Sequence, residues 1–375
     1  MDKIVNGFTV VETLEDDDNF RVFRCIKEGD SQLYVLKTVN SNRISNQNLF
    51  RIHKEHELSK LIDATITRKF VNFTNTNEIP CLVYKDFEGA TLQKLLQSGD
   101  LCLKSILKIT SKVLDCLDKL HKQNIIFKAI EPKNILVAPN FDDVRIINFD
   151  RAILTSTQRE QISNTRTLES NLYYISPEQT GRTNSSVDYR TDYYSLGVVL
   201  YEMLTKEVPF DYQDELELMH AHLAKTPKHP CKINNTPKAV SEIALKLLAK
   251  SADDRYQSIL GIKYDIDKIL ESLNKHESID EFHIASHDLP DNFQLPQKLY
   301  GREDQLPVLE KAFEKVCSGE RKVLMVSGYS GIGKTSLVRE LYMPLTKSKG
   351  IFISGKFDQY QSNVPYSAIV NAFRE

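Results

Sequence analysis

Ile125-Ile126-Phe127-Lys128-Ala129-Ile130-Glu131-Pro132-Lys133-Asn134-Ile135-Leu136 decides the fold of this 375-residue chain, because of what stands in order on either side of it. Upstream, Ile106, Ile109, Val113, Leu117 and Leu120 recur at spacings of three and four, which predicts an amphipathic helix with one buried face. Downstream come Val144-Arg145-Ile146-Ile147-Asn148-Phe149-Asp150 and Ser176-Pro177-Glu178. Thr191–Leu204 is apolar on most sides, as a helix at a domain centre would be. Ala239–Lys250 and Ile259–Leu273 predict two further helices. Before all of these, Phe8-Thr9-Val10-Val11, Phe20-Arg21-Val22-Phe23 and Leu33-Tyr34-Val35-Leu36 are β-prone runs separated by charged or Gly-containing turns. A helical pattern interrupts them at Phe50–Ile62. A small β half thus precedes a larger α half.

In this order and spacing the segments resemble a protein kinase. Val35-Leu36-Lys37 resembles the strand carrying the phosphate-binding lysine, and Glu55 is placed in the next helix to pair with it. Phe127 to Leu136 resembles the catalytic loop, Asn148-Phe149-Asp150 the metal-binding D-F-G motif, and Ser176-Pro177-Glu178 the A-P-E end of the activation segment. Asp192 resembles the buried aspartate of the central helix, and Arg255 in Asp253-Asp254-Arg255-Tyr256 the arginine that pairs with the A-P-E glutamate. Glu178, Asp192 and Arg255 are scaffold positions in that family, so their retention speaks for folding rather than for activity.

The departures carry the functional expectation. The catalytic-loop aspartate, which accepts the substrate hydroxyl proton, is replaced by Ala129, and the histidine by Phe127. The magnesium-holding aspartate is replaced by Asn148, a neutral amide. The Gly-rich loop is replaced by Leu14-Glu15-Asp16-Asp17-Asp18-Asn19-Phe20, which has no glycine and four carboxylates facing any phosphate. A lost general base alone costs about 10²–10⁴ in rate, and the metal and phosphate-loop losses fall on the larger electrostatic contribution. Lys37, Glu55 and Asn134 survive, either as a bracing ion pair and a loop cap or as remnants of nucleotide binding. Glu131 and Asp150 are the candidate substitute acids; Glu131 is expected to face away from Ala129.

A second constellation lies near the end of the chain. Residues 276–298 are polar, contain two prolines and lack periodicity, which predicts a linker. Leu306, Leu309, Phe313 and Val316 predict a helix, and Lys322–Val326 a buried strand. Gly328-Tyr329-Ser330-Gly331-Ile332-Gly333-Lys334-Thr335 follows, and Ser336–Leu341 begins a helix. This is G-x-x-x-x-G-K-T between strand and helix. Gly328, Gly331 and Gly333 let backbone N–H groups converge on phosphates, Lys334 reaches the outer phosphates, and the Thr335 hydroxyl binds magnesium through the nucleotide. ATP and Mg2+ are therefore the expected ligands of this loop. Gly350–Asp358 predicts a second strand, and the expected ATPase core is truncated at Glu375.

Tyr174-Ile175-Ser176-Pro177-Glu178-Gln179-Thr180-Gly181-Arg182, Val187–Gly197, Leu299-Tyr300-Gly301-Arg302-Glu303 and Gly355-Lys356-Phe357-Asp358-Gln359 together resemble large bacterial-type multidomain sensors. These join a serine/threonine-kinase-like domain, an AAA/STAND-type ATPase, a GAF domain and a sensor histidine kinase. The resemblance implies that Gly301 and Arg302 lie near the adenine edge, and that sensing and histidine-kinase modules of a two-component system follow Glu375. The expected fold is an α+β bilobal kinase-like domain, residues 1–275 with a β lobe at 1–88 and a helical lobe at 89–275. The linker 276–298 and the start of an α/β P-loop NTPase, 299–375, complete it.

A 41% hydrophobic share supports a true core. The formal net charge of −2 predicts no general affinity for nucleic acid or anionic membrane. No run approaches the ~18 apolar residues of a membrane span, the N-terminus lacks a signal core, and the six scattered cysteines suggest mostly small buried side chains in a reducing compartment. A cytoplasmic location is expected. The expected function is a regulatory pseudokinase, with protein partners or other domains of the same polypeptide, fused to an ATP-binding switch. The alternative is an active or weakly active ATP-dependent serine/threonine kinase.

Overall fold

The computed structural model describes residues 4–5, 7–41, 44–76, 79–99, 101–155, 171–183, 185–275, 279, 282–290, 301–302, 304–329, 331–341, 344–345, 348, 350, 352–355 and 366–374. Six strands form one antiparallel sheet. They are β1 (Ile4–Val5), β2 (Phe8–Asp16), β3 (Phe20–Lys27), β4 (Leu33–Val39), β5 (Phe70–Thr76) and β6 (Ile79–Lys85), in spatial order β1-β2-β3-β4-β6-β5. Helix α1 (Asn46–Leu61) packs on this sheet between β4 and β5. It begins four residues before the apolar pattern does, because the Ser45 side chain accepts from Asn48 N at 3.1 Å and caps it.

The second half is helical: α2 (Leu92–Ser98), α3 (Leu103–Lys122), α4 (Arg190–Thr205), α5 (Glu215–Ala224), α6 (Lys238–Leu247) and α7 (Ile259–Asn274). Of α4, Glu202 alone is not buried, as its all-round apolar pattern requires. α3 turns Ile106, Ile109, Val113, Leu117 and Leu120 into the same core. Short strands β7 (Ile125–Ile126), β8 (Ile135–Val137) and β9 (Val144–Ile146) carry the loops that face the β lobe. This is the bilobal α+β arrangement. Three of the six cysteines, Cys25, Cys81 and Cys116, are buried, and burial raises their thiol pKa values to about 11, 12 and 12; Cys102, Cys231 and Cys317 are exposed. Among the described residues no helix is long and apolar enough to cross a membrane.

The polar stretch after α7 is not wholly loose. Phe282, Ile284 and Ala285 pack on the main core, and Lys268 Nζ lies 4.2 Å from the Phe282 ring centroid.

The helical lobe also buries a histidine. His222 meets Tyr194 Oη at 2.9 Å through Nδ1, while its Nε2 has no hydrogen-bond partner among the described residues. Burial, and then nearby Lys250, push its pKa down from 6.5 to about 3. Between pH 6.5 and 3 the unfolded chain binds a proton there that the folded chain does not, so stability falls as pH drops through that window and levels off below it. The expected slope is on the order of 1 kcal/mol per pH unit. Denaturant melts from pH 7 to 4 should show a shallower loss in His222→Phe than in the parent chain; equal losses would contradict the assignment. Lys250, lowered to about 7 by burial and then Arg255, acts only above that window.

Candidate functional site

The floor of the interlobe cleft is fixed from below by α4. Asp192 accepts from Phe127 N at 2.9 Å and Lys128 N at 2.7 Å, and meets His121 Nε2 at 2.9 Å. Phe127 packs edge-on to Phe149, centroids 5.0 Å apart. The loop is thus set by a buried carboxylate and an aromatic pair, neither of which requires an aspartate at position 129.

β4 presents Lys37, and α1 presents Arg51 and Glu55, one turn apart. Lys37 Nζ sits 2.7 Å from Glu55 Oε2, 2.9 Å from Asn148 Oδ1 and 3.6 Å from Asp150 Oδ1. Arg51 Nε donates to Asp150 Oδ2 at 2.8 Å, and Arg51 Nη2 also contacts that oxygen. Burial works against the Lys37 charge, but Glu55 and Asp150 outweigh it and hold the ammonium above its usual pKa. Burial likewise opposes the Asp150 carboxylate, yet Lys37 and Arg51 hold it below the ordinary carboxylate range. At Glu55 burial outweighs Lys37 and raises the pKa, so the charges that offset one another inside the cleft are chiefly those of Lys37, Arg51 and Asp150.

The two amides that would face a metal are occupied as well. Asn148 Nδ2 donates to Asn134 Oδ1 at 2.8 Å, and Asn148 Oδ1 is the oxygen that accepts from Lys37. Asn134 Nδ2 donates to Ala129 O and to Glu131 Oε1, both at 2.9 Å. Asn148 itself is left-handed, φ 67°, which an asparagine tolerates. Glu131 does not point away from Ala129: both line the same cavity. Residues two apart on an extended run share a face, which is why the expectation of opposite faces fails. The Glu131 carboxylate also accepts from Asn171 Nδ2 at 2.9 Å and lies 3.6 Å from Lys133 Nζ.

The β2–β3 turn closes the roof. Asp17 Oδ1 accepts from Asn19 N at 2.7 Å and Phe20 N at 2.6 Å, and Asn40 Nδ2 donates to Asp17 O at 2.7 Å. Asp16 pairs with Arg21. Two of the turn's carboxylates thus serve the hairpin. Phe20 is buried, with Lys37 4.7 Å and Arg51 5.0 Å from its ring centroid. The remaining cavity is about 30 Å3, against roughly 300–1,000 Å3 for ordinary ligand pockets. A roomier cavity of about 340 Å3, between Leu96, Leu103, Ile106 and Pro237, is lined by none of these residues.

At the second site, α8 (Leu306–Cys317) precedes the loop and α9 (Lys334–Arg339) follows it. Gly331 and Gly333 have φ 83° and 91°, backbone that a side chain would strain. Lys334 Nζ donates to Gly328 O and Tyr329 O, both at 2.8 Å, and Arg302 Nη2 donates to Ile332 O at 2.8 Å. Among the described residues Lys334 is held by carbonyls and not by a carboxylate, unlike Lys37. Thr335 is exposed.

Lys322–Val326 is not a buried strand: no strand is assigned there, and Val323 and Met325 are 96% and 91% exposed. Strand pairing needs a neighbour, and among the described residues all paired strands lie between Ile4 and Leu154. The described residues Phe352–Gly355 likewise form no strand. Leu299, Tyr300, Glu303, Ser330 and Lys356–Gln359 lie outside the described residues. Arg51, Phe20 and Asn171 escaped the sequence reading; the Arg51–Glu55 spacing of one turn was the signal for the first.

A family model described as a protein kinase domain matches residues 18–269, and one described as an AAA ATPase domain matches residues 298–375. The chain is 38% identical over 227 residues to hybrid signal transduction histidine kinase G of Dictyostelium discoideum, covering 55% of this chain and 7% of that protein. It is 29% identical over 273 residues to a probable serine/threonine-protein kinase of Clostridium perfringens, covering 68% and 39%. It is 24% identical over 372 residues to a peroxide stress-activated histidine kinase of Schizosaccharomyces pombe, covering 87% and 16%. The chain thus spans well under half the length of each of these relatives.

Proposed function

This chain belongs to the protein kinase family, and from that premise we propose that its kinase fold is a regulatory pseudokinase fused to an ATP-binding P-loop switch. The observation that carries this reading is the self-neutralised cleft, in which Lys37 is committed to Glu55, Asn148 and Asp150. A triphosphate with magnesium would have to break that network, displace Phe20, and find a carboxylate for the metal. The candidate substitute acids do not meet the need: Asp150 is held low by two cations, which weakens it as a base, and Glu131 is engaged by two asparagines.

The P-loop fits the opposite description. Gly328, Gly331 and Gly333 leave backbone free to approach phosphates, and Lys334 has only carbonyls to leave. Thr335 would hold magnesium, which neutralises phosphate charge when bound, and Gly301 and Arg302 would line the adenine edge. In this reading residues 1–275 and 299–375 are the two working units. The names of two relatives support a place within a longer histidine-kinase signalling protein; in this reading that protein is cytoplasmic and the pseudokinase docks a protein partner or a neighbouring domain.

Radiolabelled Mg-ATP with generic protein substrates tests the inactive cleft. We expect no transfer from the parent chain, and little from Ala129→Asp with Asn148→Asp, since Phe20 and the Arg51–Asp150 pair still fill the site. Incorporation that vanishes in Lys37→Ala and survives in Lys334→Ala would overturn the pseudokinase reading.

A further inference from the structure

The stretch between the two matched domains begins as a fastened strap. Ala285 N donates to Asp265 Oδ2 at 2.7 Å, an oxygen that also accepts from Tyr256 Oη at 2.6 Å. The Asp288 carboxylate accepts from Gln257 N at 2.8 Å and from Ser258 N and Oγ, both at 2.9 Å. Asp288 therefore sits at the start of α7, where free backbone N–H groups need acceptors. The helix makes room for it: a Cβ on Gly261 would lie 2.5 Å from Asp288 Oδ1 and 2.8 Å from its Cα. A glycine inside a helix costs about 1 kcal/mol relative to alanine, and the strap's close approach is what requires it.

The anchor point does not end at α7. The Gln257 side chain accepts from Arg190 Nη1 at 2.8 Å. Arg255 Nη1 donates to Arg190 O at 3.0 Å, and the Arg255 guanidinium holds both oxygens of Glu178 at 2.7 and 2.8 Å. One hydrogen-bonded chain thus runs from Asp288 through Gln257, Arg190 and Arg255 to Glu178 in the Ser176-Pro177-Glu178 segment. In sequence, the domain matched from residue 298 begins ten positions after Asp288. Leu289, just past the anchor, is 77% exposed, so polar contacts hold this end, while Phe282, Ile284 and Ala285 seat the other end on the main core.

We propose that residues 282–288 are a coupling strap, through which nucleotide binding at the P-loop biases how firmly the Ser176-Pro177-Glu178 segment is seated on the helical lobe. The proposal rests on the P-loop reading above. Its two states are strap docked and strap released, and the coupling is the difference in nucleotide affinity between them.

Hydrogen exchange on the whole chain tests it, with binding of a fluorescent ATP analogue measured on the same samples. Gly261→Ala pushes Asp288 off while favouring helix in α7. The amides of Gln257, Ser258 and Ala285 should exchange at least tenfold faster in that variant, with residues 266–273 unchanged; Asp288→Asn should show a smaller effect of the same kind. Saturating Mg-ATP should change exchange at 176–181 and 257–258 at least threefold in the parent chain. Gly261→Ala should still bind the analogue, with a Kd shifted by at least the same threefold factor, and lose that response. Binding without a change at these amides, or parental protection of Ala285 in Gly261→Ala, overturns the strap and leaves the P-loop reading standing. No binding by the parent chain overturns both.

Discussion

Arg255→Ala should lower the melting temperature of the helical lobe by roughly 6–20 °C. The guanidinium is fully buried and holds Glu178 Oε1 and Oε2 as well as three backbone carbonyls, those of Ala249, Lys250 and Arg190. Removing it strands a carboxylate that is itself buried. Burial alone would raise the Glu178 pKa, and Arg255 first among its partners holds it below the usual range. Breaking one side of such a pair costs about 3–5 kcal/mol, and each kcal/mol moves the midpoint of a domain of 150–250 residues by about 2–4 °C. The sign with pH follows: a depressed carboxylate contributes stability above its unfolded pKa and loses it as pH falls through the folded value. The variant should therefore lose least, relative to the parent, under strongly acidic conditions. Asp118→Ala is the control, since its pair with Lys122 on the surface of α3 is worth at most about 1 kcal/mol. Equal, small shifts for the two variants would show that the A-P-E anchor is not structural.

Much of the kinase fold was readable because its signals are periodic or strictly ordered. α3 and α4 followed from their apolar spacing, and the partners Lys37 and Glu55, or Glu178 and Arg255, from motif order. Contacts that depend on where the backbone turns were not readable. Asp150 meets Arg51 only once α1 has docked. A phenylalanine at the end of an acidic turn gives no hint that its ring lies beside Lys37. The strap was hidden for a different reason. Its anchors are two single carboxylates, Asp288 in a polar, aperiodic stretch and Asp265 within α7, and the glycine that admits the first lies in the first turn of that helix. The Lys322–Val326 run shows the converse, since apolar sequence becomes a strand only where a neighbour pairs with it.

The central claim is that nucleotide belongs to the P-loop and not to the interlobe cleft. Equilibrium titration of labelled Mg-ATP into the whole chain tests it most directly, with Lys37→Ala and Lys334→Ala beside the parent. Charge-assisted hydrogen bonds are worth about 1.5–3 kcal/mol each, so losing the Lys334 ammonium should weaken binding on the order of a hundredfold. At ~100 times the Kd the ligand should stabilise the domain that binds it by about 2.7 kcal/mol, and that shift should disappear with Lys334. The predicted result is one site per chain, with the parent and Lys37→Ala binding alike and Lys334→Ala binding far more weakly. Binding that is lost with Lys37 and kept without Lys334 would contradict the account.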